Sequence, residues 1–256
     1  MRPHERASLG AVRLPTALVV QHTPQESPAR LGDWLGDAGV LLDVRSPYDG
    51  SQLPGLDGFA ALVVLGGPMG AYDDGAAPWL PATRGLLRDA VRTAVPVLGV
   101  CLGAQLLAAA LGGQVGRGAQ GPEIGPGLVA KRDVAAEDRL FRPVPFTPDV
   151  MHWHWDEISS LPAAATLLAS STRYPNQAFR VGDLAWGLQF HVETTPAMVR
   201  QWAAEDADAL AGVGYDVEAA LRRWDLDAVH ADLAEVWAPF ARRFAEVVRE
   251  REYATR

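Results

Sequence analysis

The sequence predicts an α/β fold: a parallel sheet with helices on both faces. Two patterns carry that expectation. Short apolar runs such as Thr16–His22 and Ala61–Leu65 recur through the first half, and stretches of helical character separate them. Continuously apolar strands are those buried on both faces, and alternation with helices is how parallel strands connect. The chain has 256 residues, 48% of them apolar. That is enough to build a sizeable core without disulfide or metal.

Each element has its own signal. Thr16–His22 reads as the first strand, being short, apolar and rich in β-branched residues. Ser27 is expected to cap a helix with Pro28 at its first position, ending near Ala38 before Gly39. Residues 40–44 and 61–65 read as the second and third strands, the third ending at Gly66-Gly67-Pro68. A helix over 79–91 leads to a strand at 96–100, followed by a helix over 102–111 that Gly112-Gly113 stops. The glycine- and proline-rich stretch 116–127 reads as loop. Strands are expected at 129–132, 150–155, 166–170 and 184–191, with a turn at 174–179. Thr195-Pro196 opens another helix. Leu226, Val229, Leu233, Trp237, Phe240, Phe244 and Val248 recur at three- and four-residue steps, so a long amphipathic helix packs one face on the body.

Charge and cysteine content exclude several classes. The net charge is −8, which argues against nucleic-acid and anionic-membrane surfaces. No apolar run approaches the ~20 residues that cross a bilayer. The segment Met1-Arg2-Pro3-His4-Glu5-Arg6 lacks the apolar stretch of a signal peptide, so a cytoplasmic location is expected. A single cysteine, Cys101, rules out an internal disulfide and a multi-cysteine zinc site.

Cys101 lies in Gly99-Val100-Cys101-Leu102-Gly103, the G-x-nucleophile-x-G pattern of a sharp strand-to-helix turn. Such a turn thrusts the sulfur out at the carboxyl edge of the sheet, where open α/β sheets bind ligands. The start of the following helix favours thiolate over thiol. A cysteine nucleophile needs a base, and the base an orienting group. His191-Val192-Glu193 offers both at the end of a predicted strand, where residues two apart share a side. Gly66-Gly67-Pro68-Met69-Gly70 can present unobstructed backbone N–H groups to an oxyanion. A Walker-type phosphate loop is excluded, since the Gly-Lys-Ser/Thr ending is missing.

Three segments in this order resemble the class I (triad) glutamine amidotransferase family: Leu65–Gly70, Leu98–Gln105 and Gly187–Glu193. The similarity runs over about residues 16–205 and is nearest to stand-alone proteins related to the glutaminase domain of GMP synthase. It implies a flavodoxin-like, doubly wound, mostly parallel sheet in 1–205, with 206–256 as a helical C-terminal extension packed on the same domain. It also implies roles. Cys101 would attack the glutamine carboxamide and form a γ-glutamyl thioester, His191 would relay protons, and Glu193 would orient His191. Backbone N–H groups of Gly67 and Leu102 would form the oxyanion hole, and Gln105 would help hold the substrate. No cofactor is implied. The family often has proline where Val192 stands, and Trp155 in His152-Trp153-His154-Trp155-Asp156 replaces a glycine, which reshapes a pocket wall.

Three readings of function follow. The first is glutamine hydrolysis to glutamate and ammonia, with a separate synthetase or acceptor-binding subunit as possible partner and residues 206–256 as its docking segment. The second is hydrolysis of another γ-glutamyl amide or peptide. The third is a non-catalytic binding or regulatory protein, against which the intact nucleophile, base and orienter argue. His152 and His154, two apart on one strand, could share a metal, but no third ligand of suitable spacing stands nearby, so no metal is expected. Asn176 and Gln177 are candidate contacts at the pocket border.

Overall fold

The computed structural model describes residues 14–254. The Met1–Arg6 segment used in judging location lies outside the described residues. In chain order the elements are β1 (Thr16–Val20), α1 (Ala29–Asp37), β2 (Leu41–Arg45), β3 (Ala61–Val64), α2 (Leu80–Arg92), β4 (Val97–Val100), α3 (Leu102–Ala110), β5 (Gln114–Arg117), β6 (Glu123–Leu128), β7 (Ala130–Lys131), β8 (Asp149–His154), β9 (Asp156–Ser160), β10 (Ala165–Ser170), β11 (Ala178–Val181), β12 (Ala185–Leu188), α4 (Pro196–Glu205), α5 (Ala207–Gly212), α6 (Val217–Arg223) and α7 (Leu226–Ala254).

The main sheet has eight strands in the order β2-β1-β3-β4-β12-β11-β10-β7. The first five run parallel, in the flavodoxin-like order the family resemblance implied. The last three are antiparallel. Alternate residues of the central strands feed two cores. Val63 and Leu98 face one cluster with α1 and α7; Leu62, Val64 and Val97 face the other, with α2 and α3. The apolar runs are continuous because both faces are covered.

The C-terminal stripe packs as expected. Leu233, Trp237, Phe240, Phe244 and Val248 are buried in the first cluster. Full burial of each large side chain contributes about 1.5–3 kcal/mol. Trp237 also donates to the Asp149 carbonyl at 2.8 Å, which ties α7 to β8. No helix among the described residues is long and apolar enough to cross a membrane.

The loop expected at 116–127 is a correction: it contains the end of β5 and most of β6. β6 pairs with β8 in unbroken register from Glu123↔His154 to Leu128↔Asp149. Its composition hides this, with Gly125 at φ +91° and Pro126 inside the strand. The strand tolerates proline because it belongs to a two-stranded ribbon, where one edge has no ladder to feed. β9 and β11 also escaped the sequence reading; Phe179, placed in a turn, lies inside β11. The first helix begins at Ala29 with Pro28 in the cap position, and Ser27 caps nothing. The Thr195 hydroxyl does accept from Met198 N–H, at 3.2 Å.

Candidate active site

β4 ends at Val100 and α3 begins at Leu102, so the whole turn falls on Cys101. Its backbone stands at φ 49°, ψ −108°, a strained conformation for a residue with a side chain. Two bonds hold it there: Cys101 N–H to the Leu188 carbonyl at 2.7 Å, and Gln105 N–H to the Cys101 carbonyl at 3.0 Å. The flanking glycines permit the turn. A Cβ on Gly103 would sit 2.0 Å from the Val64 carbonyl oxygen, and one on Gly99 would sit 2.6 Å from that of Gly103. Both obstacles are backbone, so neither can move aside cheaply.

The sulfur reaches a second element. β12 runs beside β4, and the chain leaving it carries Gln189, His191 and Glu193 to the same edge. His191 N–H bonds the Met151 carbonyl at 2.8 Å, which anchors the segment against β8. His191 Nδ1 meets Glu193 Oε1 at 2.6 Å. The second carboxylate oxygen, Oε2, accepts from Val192 N–H at 2.9 Å. That bond is one proline could not make. The imidazole and the Cys101 sulfur are close enough to shift each other's proton affinity, so the ring is coupled to both acid and thiol. His191 and Glu193 are each 1% exposed. Trp202 on α4 covers the ring, with centroids 4.8 Å apart.

Charge follows geometry. Burial alone would lower the affinity of His191 for a proton; the Glu193 carboxylate and the developing Cys101 thiolate outweigh it and hold the ring well above the ordinary range. Burial pushes the Cys101 thiol up, opposed by His191. Sulfur sealed from water resists ionisation, which works against the pull of the helix start and with which His191 competes.

The cleft in front of the sulfur has a volume of about 580 Å³ and is lined by Gly67, Gln105, Trp153, Trp155, Asp156 and Asp206, among others. Gly67 lines the cleft and abuts Leu102: a Cβ on Gly67 would lie 2.9 Å from Leu102 Cδ2. Gln105 donates to Gln189 Oε1 at 3.2 Å, and Gln189 Nε2 lies 3.8 Å from the Cys101 sulfur. Trp155 forms a wall with the Arg117 guanidinium stacked over it at 4.2 Å. Asn176 and Gln177 are not brought to the cleft. Asn176 bonds the Ile158 carbonyl, and Gln177 is fully buried against Glu123.

Glu26 is a site residue the sequence reading missed. It comes from the loop after β1, and no motif marks it. Its Oε2 is sealed from water without a hydrogen-bond partner. The space a Cβ on Gly66 would fill is bounded by that oxygen at 1.9 Å and by His191 Cε1 at 3.1 Å. Burial pushes the Glu26 carboxyl up to about 7; His191 opposes, while Glu193, Asp206 and Glu205 add to the rise. The second omission is Glu123. It faces His154 directly across the β6–β8 ribbon, and its Oε2 lies 3.0 Å from His154 Nε2. Reading 116–127 as loop concealed the pairing.

Comparison with known proteins agrees with this geometry. The glutamine amidotransferase class-I family profile matches residues 36–202. The glutamine amidotransferase-like protein YfeJ of Salmonella typhimurium is 29% identical over 84% of this chain and 92% of its own length. The GMP synthase of Porphyromonas gingivalis is 30% identical over 69% of this chain, which spans 32% of that enzyme. Among solved structures, glutamine amidotransferases from Thermotoga maritima and Methylobacillus flagellatus each superpose with a TM-score of 0.80 at 30% identity. They cover 91% and 93% of this chain, and 99% and 96% of their own. The chain belongs to the glutamine amidotransferase class-I family.

Proposed function

We propose that this chain hydrolyses the side-chain amide of glutamine to glutamate and ammonia. One observation carries the reading: a buried carboxylate holds at 2.6 Å the imidazole that couples electrostatically to Cys101, and that thiol lines a cleft. The Cys101 sulfur attacks the amide carbon and its proton passes to His191. His191 returns that proton to the departing nitrogen, and ammonia leaves a γ-glutamyl thioester. Water then adds to the thioester carbonyl, giving a proton to His191, and glutamate departs as the sulfur regains its proton. Glu193 keeps the ring oriented and stabilises its cationic form. Backbone N–H groups of Gly67 and Leu102 bind the oxyanion, and Gln105 positions the substrate.

The ammonia would pass to a separate synthetase or acceptor-binding subunit, as the likeness to part of a GMP synthase suggests. In this reading 1–205 is the catalytic unit and 206–256 an extension of the same domain. The apolar face of α7 is already buried, so any partner would meet its polar face. An unpaired thiol nucleophile suits a reducing, cytoplasmic setting.

A second reading has support from the cleft itself. Its 580 Å³ is large for free glutamine, and Trp155 gives it a flat wall. Hydrolysis of a larger γ-glutamyl amide uses the same chemistry with a different leaving amine. Incubation with glutamine and a panel of γ-glutamyl amides, scored for released glutamate and amine, separates the two. Glutamine turnover that vanishes in Cys101→Ala supports the first reading, and turnover of the larger amides alone supports the second. Turnover that persists in Cys101→Ala rejects both.

A further inference from the structure

The geometry points to a divalent metal site of the zinc class, formed by Glu123, His152 and His154. All three residues are buried, and one ligand atom from each lies within 4.8 Å of the others. Strand register creates the cluster. Glu123 sits directly opposite His154, and His152 is two residues along the same strand, so the three side chains share one face.

Hydrogen bonding sets the lone pairs. His154 Nδ1 is 2.9 Å from the Asp156 carbonyl and so carries the proton, which leaves Nε2 facing Glu123 Oε2 at 3.0 Å. His152 Nδ1 is buried with no partner, 3.8 Å from the same oxygen. Glu123 already accepts from Gln177 at 2.6 Å and from Ser171 at 2.7 Å, so the group left over is the sealed His152 nitrogen beside that carboxylate, and a cation between them would engage it. His154 already has the backbone carbonyl partner, Asp156, that fixes a metal-binding tautomer.

Two nitrogens and one carboxylate oxygen suit zinc or a neighbouring transition ion. Zinc bonds of about 2.0–2.1 Å place tetrahedral ligands about 3.3 Å apart, so the 3.0 and 3.8 Å separations bracket the requirement. The imidazole nitrogens, up to 4.8 Å apart, would close by about 1.5 Å on binding. His154 also lines the cleft, which would give an ion its entry path. The ion would clamp β6 to β8, the strand whose Trp153 carbonyl lies 3.8 Å from the Cys101 sulfur.

The test titrates the chelator-stripped full chain with Zn²⁺ against a chromogenic chelator, and separately with Co²⁺ read by visible absorption. One ion per chain is expected. His152→Gln and Glu123→Gln should each weaken binding at least ~10-fold, while Cys101→Ala leaves it intact. The Co²⁺ spectrum should lack a thiolate charge-transfer band. Failure of the wild type to bind overturns the proposal. So does binding that survives both substitutions or disappears with Cys101→Ala, since the ion would then sit elsewhere or on the catalytic thiol. Circular dichroism checks that the variants fold. Should neither fold, the wild-type Co²⁺ spectrum decides: nitrogen–oxygen ligation sustains the proposal and a thiolate band ends it.

Discussion

Two buried histidine–glutamate pairs stand at the same edge of this molecule, and they face different neighbours. His191 and Glu193 lie 2.6 Å apart, and the ring turns its other nitrogen to a thiol. His154 and Glu123 lie 3.0 Å apart, and that ring's other nitrogen meets the backbone carbonyl of Asp156. In the proposed reaction the first pair takes up and releases a proton. The second is locked among neutral donors and another imidazole, with Ser171 and Gln177 both donating to the carboxylate. What the far side of a ring touches separates chemistry from architecture here; the acid alone does not.

Neutralising each carboxylate in turn separates the two pairs most strongly. Glu193→Gln should slow turnover by about 10³–10⁴-fold, because the amide cannot stabilise an imidazolium or enforce its tautomer. Thermal unfolding should stay nearly unchanged. Steady-state kinetics and calorimetry on one preparation check both halves. Loss of less than tenfold in rate would remove the orienting role.

Glu26→Gln comes next, and its effect depends on pH. The folded-state carboxyl is raised to about 7. A raised carboxyl binds its proton more tightly when folded, so its ionised form weakens the fold as pH climbs from about 4.5 toward 7. The amide variant should be more stable than wild type at pH 8 by up to about 3 kcal/mol, with the gap closing below pH 5. Denaturant titrations at the two pH values measure it, and a gap independent of pH would show that Glu26 is not sealed.

Glu123→Gln should do the reverse of Glu193→Gln: it should cost about 2 kcal/mol of stability with turnover within several-fold. Equal damage to rate and stability from both substitutions would collapse the distinction between the pairs. The smallest effect concerns Val192. Val192→Pro removes the N–H bond to Glu193 Oε2, worth about 1 kcal/mol, while the 2.6 Å contact remains. Turnover should change less than about fivefold.

The same contrast explains what was legible in the sequence. His191 and Glu193 are two residues apart, and Cys101 sits between glycines that its turn demands, so local spacing marked all three as candidates and the family resemblance joined them. The parallel half of the sheet was legible for the same reason, since its strands are unbroken apolar runs. Glu123 was not, because its meaning comes from a partner 31 residues away across a ribbon built from Gly125 and Pro126. Glu26 was missed on similar grounds: its role depends on Gly66 and His191 closing around it. Spacing within one strand shows on the page, whereas pairing across strands of unfavourable composition does not.

The central claim is that Cys101 is a nucleophile armed by His191. A glutamine analogue bearing an alkylating group, followed by peptide mass spectrometry, tests it without knowledge of the acceptor. The account predicts one label per chain, on Cys101, blocked by excess glutamine or a γ-glutamyl amide and at least ~10²-fold slower in His191→Gln. An unlabelled Cys101, or labelling at the same rate without His191, would contradict it.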